Sequence, residues 1–329
     1  MESFYVVGDI EDNDEAFNDA IECIRLRHDK RIVFLGDIYT STDRSKSIAH
    51  IAEILWRLQI PIENCVDVTF DPSNHTTEEI RDFCYKIKLQ FDKLYEAQYM
   101  SLYTNSNKLK SCDKLKELAA RDTAYRNDKV IFILGNKECN LITDMHEISS
   151  LNILDGKFSG RYTYSFHQEI HRCEIAFTLP EINILLTYLS KAVHFHILNE
   201  TLFMHIYASA RYLMKTLKLP HIKRIVAGHN RCFGRYVDPA NAKIGIYMMD
   251  KSHENPNTVK NYALVQGDNI IYYSANSVCR KILNNVVFSA KKTFLCNCLH
   301  ATTIDFYDNY KKDRDNQNEE HIYTNNNGE

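Results

Sequence analysis

The sequence predicts an α/β fold. Two observations carry that prediction. Short, continuous apolar runs rich in β-branched and aromatic residues recur along the chain, and segments with apolar residues at helical spacing lie between them. The runs are FYVVGD (4–9), IVFLGD (32–37), VIFILGN (130–136), LFMH (202–205) and IVAGH (225–229). Runs of this kind read as strands buried on both faces. Each ends in a small polar or metal-capable pair, and ligands in open α/β sheets gather at the carboxyl ends of strands. Asp9, Asp37, Asn136, His205 and His229 occupy those ends.

Between the first two runs, Phe17, Ile21, Ile24 and Leu26 fall at near-helical spacing within Asp14 to Arg27, which gives a βαβ unit. Residues 45–60 read as a second helix, ended by Pro61. Residues 76–120 read as a helical insertion. Thr76 and Glu79 form a capping box there, and Ile80, Phe83, Cys84, Ile87, Phe91 and Leu94 make an apolar stripe expected to pack on the main body. Strands are expected near 182–189 and 201–206. KIGIYMMD, NYALVQ and NIIYYS read as further strands between 243 and 274, with a turn at Gly267-Asp268-Asn269. The chain divides into a main domain over 1–280, an extension over 281–310 and a polar tail over 311–329, whose composition predicts disorder.

A length of 329 residues suits one large domain with insertions. A net charge of −3 with scattered basic residues gives no electrostatic footprint for nucleic acid. The absence of an 18-residue apolar run argues against a membrane span. The 10 Cys fit no disulfide framework, and the opening MESFYVVGDI has no basic leader, so a reduced cytoplasmic protein is expected. Asn74 and Asn199, each in an Asn-x-Thr triplet, are then incidental. No GxGxxG or GxxxxGK[ST] loop is present to cradle a nucleotide.

A cluster of carboxylates and imidazoles around two cations is what a two-metal phosphoesterase needs to hold its ions and activate water. GDIE (8–11), GDIYT (36–40), GNKE (135–138), MH (204–205) and GH (228–229) resemble, in order, the motifs of the calcineurin-like metallophosphoesterases. The wording around them is similar to the Ser/Thr phosphoprotein phosphatase and diadenosine-tetraphosphatase branch. That family reads GDIHG, GDxxDRG, GNHE, a lone His after a strand, and GH. The resemblance spans residues 4–274 and implies two facing mixed sheets, a β-sandwich flanked by helices, with the site at the strand ends.

Residue by residue, the resemblance implies that Asp37, Asn136, His205 and His229 complete the second metal site. The first site keeps Asp9, shares Asp37 and offers Glu11 where the family has His. One or two divalent ions (Mn, Fe, Zn or Mg) are implied. Lys137 replaces the general-acid His, and Thr40 replaces the Asp that orients it, with the Asp43-Arg44 pair following late. Arg44 and Arg231 are candidate phosphate contacts.

The joint loss at 11, 40 and 137 implies a weak or inactive phosphatase that serves as a binding module for a phosphorylated ligand or protein partner. The alternative is an active divergent phosphoesterase with Glu11 as ligand and Lys137 as electrophile. Glu11 and Lys137 can instead form a salt bridge that fills a dead site. Two further groups invite a metal reading. His194 and His196 read more simply as one exposed strand face, and Cys296-x-Cys298-x-His300 reads as packing.

Overall fold

The computed structural model describes residues 3–28, 30–98, 129–166, 169–229, 233–238, 241–250, 260–266 and 269–273. The extension over 281–310, the tail, the Cys296–His300 group, Arg231 and the second part of the 76–120 segment lie outside the described residues.

The chain is α/β. In the first sheet, β1 (Ser3–Val7), β2 (Arg31–Phe34), β3 (Val130–Ile133) and β7 (Ala192–Val193) run parallel in that order. The hairpin of β13 (Tyr262–Gln266) and β14 (Asn269–Tyr272) adds antiparallel to the outer side of β1. In the second sheet, β10 (Arg224–Ala227) sits between β9 (Thr201–Met204) and β12 (Asn241–Met249), parallel to both. β8 (Phe195–Leu198) and β11 (Phe233–Asp238) close its two sides antiparallel.

The strand period of two explains how the sheets stack. Phe4 and Val6 of β1, Val33 beside them, and Ile131 and Ile133 of β3 share one core with Phe203, Val226, Tyr247 and Met249 of the second sheet. The rings of Phe4 and Phe203 meet edge to face at 5.0 Å across that interface. The alternate residues Tyr5, Val7, Ile32, Phe34 and Phe132 face the other way, into a core shared with helices. Leu202, Met204, Ile225, Ile246 and Met248 likewise pack against the helix 207–217. The result is helices, sheet, sheet, helix. Strands enclosed on both sides must be apolar at every position, which is why the runs show no alternation.

Among the described residues, five helices cover the outer face of the first sheet or the segments beside it: α1 (Asp14–Leu26), α2 (Arg44–Arg57), α3 (Thr77–Gln98), α4 (Asn136–Glu147) and α5 (Leu179–Lys191). α6 (Tyr207–Leu217) covers the second sheet. α1 starts at Asn13, whose side chain accepts from the N–H groups of Glu15 and Ala16 at 3.0 and 3.1 Å. α3 follows the Thr76–Glu79 capping box: Thr76 N–H reaches Glu79 Oε2 at 2.7 Å, and Glu79 N–H reaches Thr76 Oγ1 at 3.3 Å. Its stripe residues Phe83, Cys84, Ile87, Phe91 and Leu94 are buried, so this helix packs on the body. Among the described residues no helix is long and apolar enough to cross a membrane.

Two expectations fail here. Residues 182–189 are helix, not strand. Ile182, Leu185, Leu186, Tyr188 and Leu189 are all buried, and a helix surrounded on most sides loses the amphipathic pattern that identifies it. The sequence did hold a start signal in Thr178, Pro180 and Glu181, which form a capping box with proline in the first turn. The second failure concerns His194 and His196, which are buried at 1% and 0% exposure rather than forming an exposed face. A third sheet also appears, the meander β4 (Ser150–Leu154), β5 (Lys157–Phe166) and β6 (Glu169–Thr178).

The Phe4–Phe203 contact ties the two sheets. Phe203→Ala is expected to lower stability by about 3–5 kcal/mol through lost transfer energy and a residual cavity. Equilibrium urea denaturation followed by far-UV circular dichroism measures it.

Candidate metal centre

Each strand run hands its terminal residue to one place. Asp9 follows β1, Asp37 follows β2, Asn136 opens α4 after β3, His205 follows β9 and His229 follows β10. His205 is fully buried and stands at the centre. Its Nε2 lies 2.9 Å from Asn136 Oδ1 and 3.4 Å from Asp37 Oδ1. Its Nδ1 lies 2.9 Å from the Leu35 carbonyl and 3.8 Å from Asp9 Oδ1. The His229 ring stands 5.0 Å away, centroid to centroid, and its backbone N–H points at the Asp9 carboxylate at 3.2 Å. Asp37, His205 and His229 each offer a ligand atom within 4.8 Å of the others.

The loops that hold these groups depart from ordinary backbone. Glu11, Asp37 and His229 adopt left-handed conformations, with φ of 53°, 49° and 66°. Such conformations cost about 1–3 kcal/mol each at non-glycine residues and persist only where surrounding contacts enforce them. The enforcing contacts are clear. Ile10 and Glu11 donate their N–H groups to the Asp37 carbonyl at 3.0 and 2.8 Å. Gly36, at φ 102°, packs against Gly135, and a Cβ on Gly135 would fall 2.0 Å from Asp37 Oδ1. Only glycine lets the second and third loops approach this closely.

The strongest anchor is Glu138, fully buried one turn into α4. Its Oε2 accepts from the N–H groups of Asp37 and Gly135, both at 2.9 Å. Its Oε1 accepts from Ile38 and Tyr39 at 2.9 and 2.8 Å and from the Tyr188 hydroxyl at 3.1 Å. Burial and the neighbouring Asp37 charge raise this carboxyl to about 7, against the pull of its N–H donors.

The charges around His205 balance each other. Burial alone would make its imidazole less basic, but the Asp37 and Asp9 carboxylates outweigh burial and hold it at about 10. Burial likewise works to raise Asp37, yet the charge and hydrogen bond of His205 and the Lys137 N–H keep it below the ordinary carboxylate range. Asp9 lies well above that range. Burial raises it first, the His205 charge opposes this, and Asp250, Asp37 and Glu11 add to it.

Lys137 and Glu11 form a direct side-chain ion pair, Nζ to Oε1, at the mouth of the cluster. Burial would lower the Lys137 ammonium, but Glu11 and the Asp37 and Asp9 charges beyond it raise it. Thr40 is buried and its hydroxyl accepts from the Thr42 N–H at 3.3 Å within a turn. Asp43 caps α2 by accepting from the Lys46 N–H at 3.0 Å. The Arg44 guanidinium reaches the Glu174 carbonyl at 3.4 Å and lies over the Phe177 ring, on the meander rather than on the cluster.

Sequence reading left Glu138, Asn261 and His50 without roles. Asn261 donates its side-chain amide to the Asp9 carbonyl at 2.7 Å and accepts from the Gly8 N–H at 3.0 Å through its own carbonyl. His50 Nδ1 lies 3.1 Å from the Glu11 carbonyl, and its ring stacks on Phe17 at 4.1 Å. Glu138 sits inside GNKE and was in view. Asn261 and His50 stand in segments with no motif signal.

Glu138→Gln replaces an acceptor by an NH₂ group facing backbone N–H donors. The variant is expected to lose about 2–4 kcal/mol of stability in urea denaturation. Glu138→Ala should lose at least as much. Comparison of the chain with protein-family models, with curated proteins and with solved structures finds no match to any of them.

Proposed function

We propose that this chain is a divergent metallophosphoesterase-type protein that holds one divalent cation and binds a phosphorylated ligand with weak or absent turnover. The observation that carries this reading is the Lys137–Glu11 ion pair, which joins the two residues that stand where the resembling motifs have histidines. An ammonium paired there offsets the negative charge of Glu11 beside Asp9 without a second cation.

The donors present fit a single ion. Asp37, Asn136, His205 and His229 would hold it, and a mixed set of carboxylate, amide and imidazole donors suits Mn, Fe or Zn. The Leu35 carbonyl accepts from His205 Nδ1–H, which leaves Nε2 as the ligating nitrogen and fixes the ring's orientation. When bound, the cation supplies positive charge that attracts and polarises a phosphoryl oxygen.

The protein's own groups support binding better than hydrolysis. Lys137 lies at the rim as a point charge for a phosphate oxygen, at the expense of its bond to Glu11. Neither an imidazole at 137 nor a carboxylate at 40 is there to protonate a leaving group, a contribution of about 10²–10⁴ in rate where it exists.

Metal content by plasma emission spectrometry is expected to be about one ion per chain, falling towards zero in Asp37→Asn and His229→Ala. Because His205 must give up its proton to ligate, apparent affinity should rise by up to about tenfold per pH unit below the imidazole's raised pKa of about 10. Calorimetry in buffers of different ionisation enthalpy reads that proton directly. Hydrolysis of p-nitrophenyl phosphate with Mn should be negligible. The combined variant Glu11→His, Thr40→Asp and Lys137→His should gain activity by about tenfold or more. Robust turnover by the unaltered chain, abolished in Asp37→Asn, would sink the proposal in favour of an active phosphoesterase.

A further inference from the structure

Away from the strand ends, the segment between α2 and α3 folds back against the first turns of α3 and leaves an open groove of about 620 Å³. Its floor is apolar. Val66, Phe83 and Ile87 are buried beneath it, and the Phe70 ring stacks on Phe83 at 4.0 Å and on His75 at 4.2 Å. Its rim is acidic. Asp67, Glu78, Glu79 and Asp82 line it, and the one lysine that lines it among the described residues, Lys86, already pairs with Asp82 at 2.8 Å.

The groove is preformed. Asn183 on α5 clamps Val66 from both sides, accepting from its N–H at 2.8 Å and donating to its carbonyl at 2.9 Å. Thr187 accepts from the Glu63 N–H at 2.9 Å, and Lys191 pairs with Glu63 at 2.9 Å. The capping box fixes the opposite wall at the start of α3. Two rim acids are held as anions by local donors: Thr69 bonds Asp67 through its hydroxyl and N–H, and Thr76 bonds Glu79 the same way. A rigid apolar floor inside a rim whose carboxylates outnumber its cations selects an occupant by charge and by a single anchor.

We propose that this groove docks a basic peptide segment of a partner protein, with one aromatic or aliphatic anchor seated over Phe70 and Phe83 and flanking Lys or Arg side chains on the rim. The site is separate from the metal cluster and stands or falls independently of it.

The test uses the full chain and a fluorescein-labelled peptide that carries two Lys–Arg pairs around one phenylalanine, read by fluorescence anisotropy. Saturable one-to-one binding is expected. The double variant Asp67→Asn/Glu78→Lys should weaken it by about tenfold or more, with an unchanged thermal melt. Raising salt should weaken it too, and replacing the peptide's phenylalanine by alanine should abolish it. Bound peptide should also slow alkylation of the half-buried Cys65, which lines the groove, as mapped by mass spectrometry. No saturable binding, or binding indifferent to the double variant, overturns the proposal. So does equal affinity for a peptide with glutamate in place of the basic residues. A concentration-dependent dimer in sedimentation that the double variant dissolves would assign the groove to a second copy of the chain, and would overturn it as well.

Discussion

One buried carboxylate organises the centre of this molecule. Glu138 holds backbone N–H groups from two separate loops, and those loops carry Asp37 and Asn136. Fully buried carboxylates are rare because leaving water costs several kcal/mol, and they survive where hydrogen bonds replace the lost hydration. Here the replacement is nearly complete, and it fixes the backbone of both loops. The left-handed turn at Asp37 follows from that grip, and the positions of Ile10 and Glu11 follow from the Asp37 carbonyl. The cluster therefore rests on the loop backbone held by Glu138 as well as on attraction between its own side chains.

The loops gather four carboxyl groups, Asp9, Glu11, Asp37 and Glu138, and His205 and Lys137 stand among them as cations. The two differ in kind. His205 lies in the interior among groups able to share an ion with it. Lys137 sits partly exposed at the rim, where it neutralises charge and reaches solvent. A lysine in this place stays charged through neutral pH, where an imidazole would exchange its proton.

Much of the fold was legible in the sequence because fully enclosed strands have a plain signature. Runs such as Tyr5–Val7 and Ile131–Ile133 read as strands and are strands, and Asp9 and Asn136 follow them at the carboxyl ends. Burial on all sides also hid information. The same continuous apolarity that identified β2 disguised α5, where only Thr178, Pro180 and Glu181 distinguished a helix start. His194 looked like half of an exposed pair because spacing alone carries no knowledge of what covers a strand. Of the site, the residues at strand ends were legible and their supports were not. Asn261 holds Asp9 across more than two hundred residues of sequence, and such contacts exist only once topology has closed.

The bond between His205 Nδ1 and the Leu35 carbonyl joins one sheet to the other across 170 residues of chain. During synthesis, a nascent polypeptide that has emerged only as far as Asn136 offers a cation little more than scattered oxygens. The imidazoles arrive later, and the first of them is oriented by a carbonyl made long before. If the proposed ion binds, its capture would thus require that the two sheets had already closed on each other.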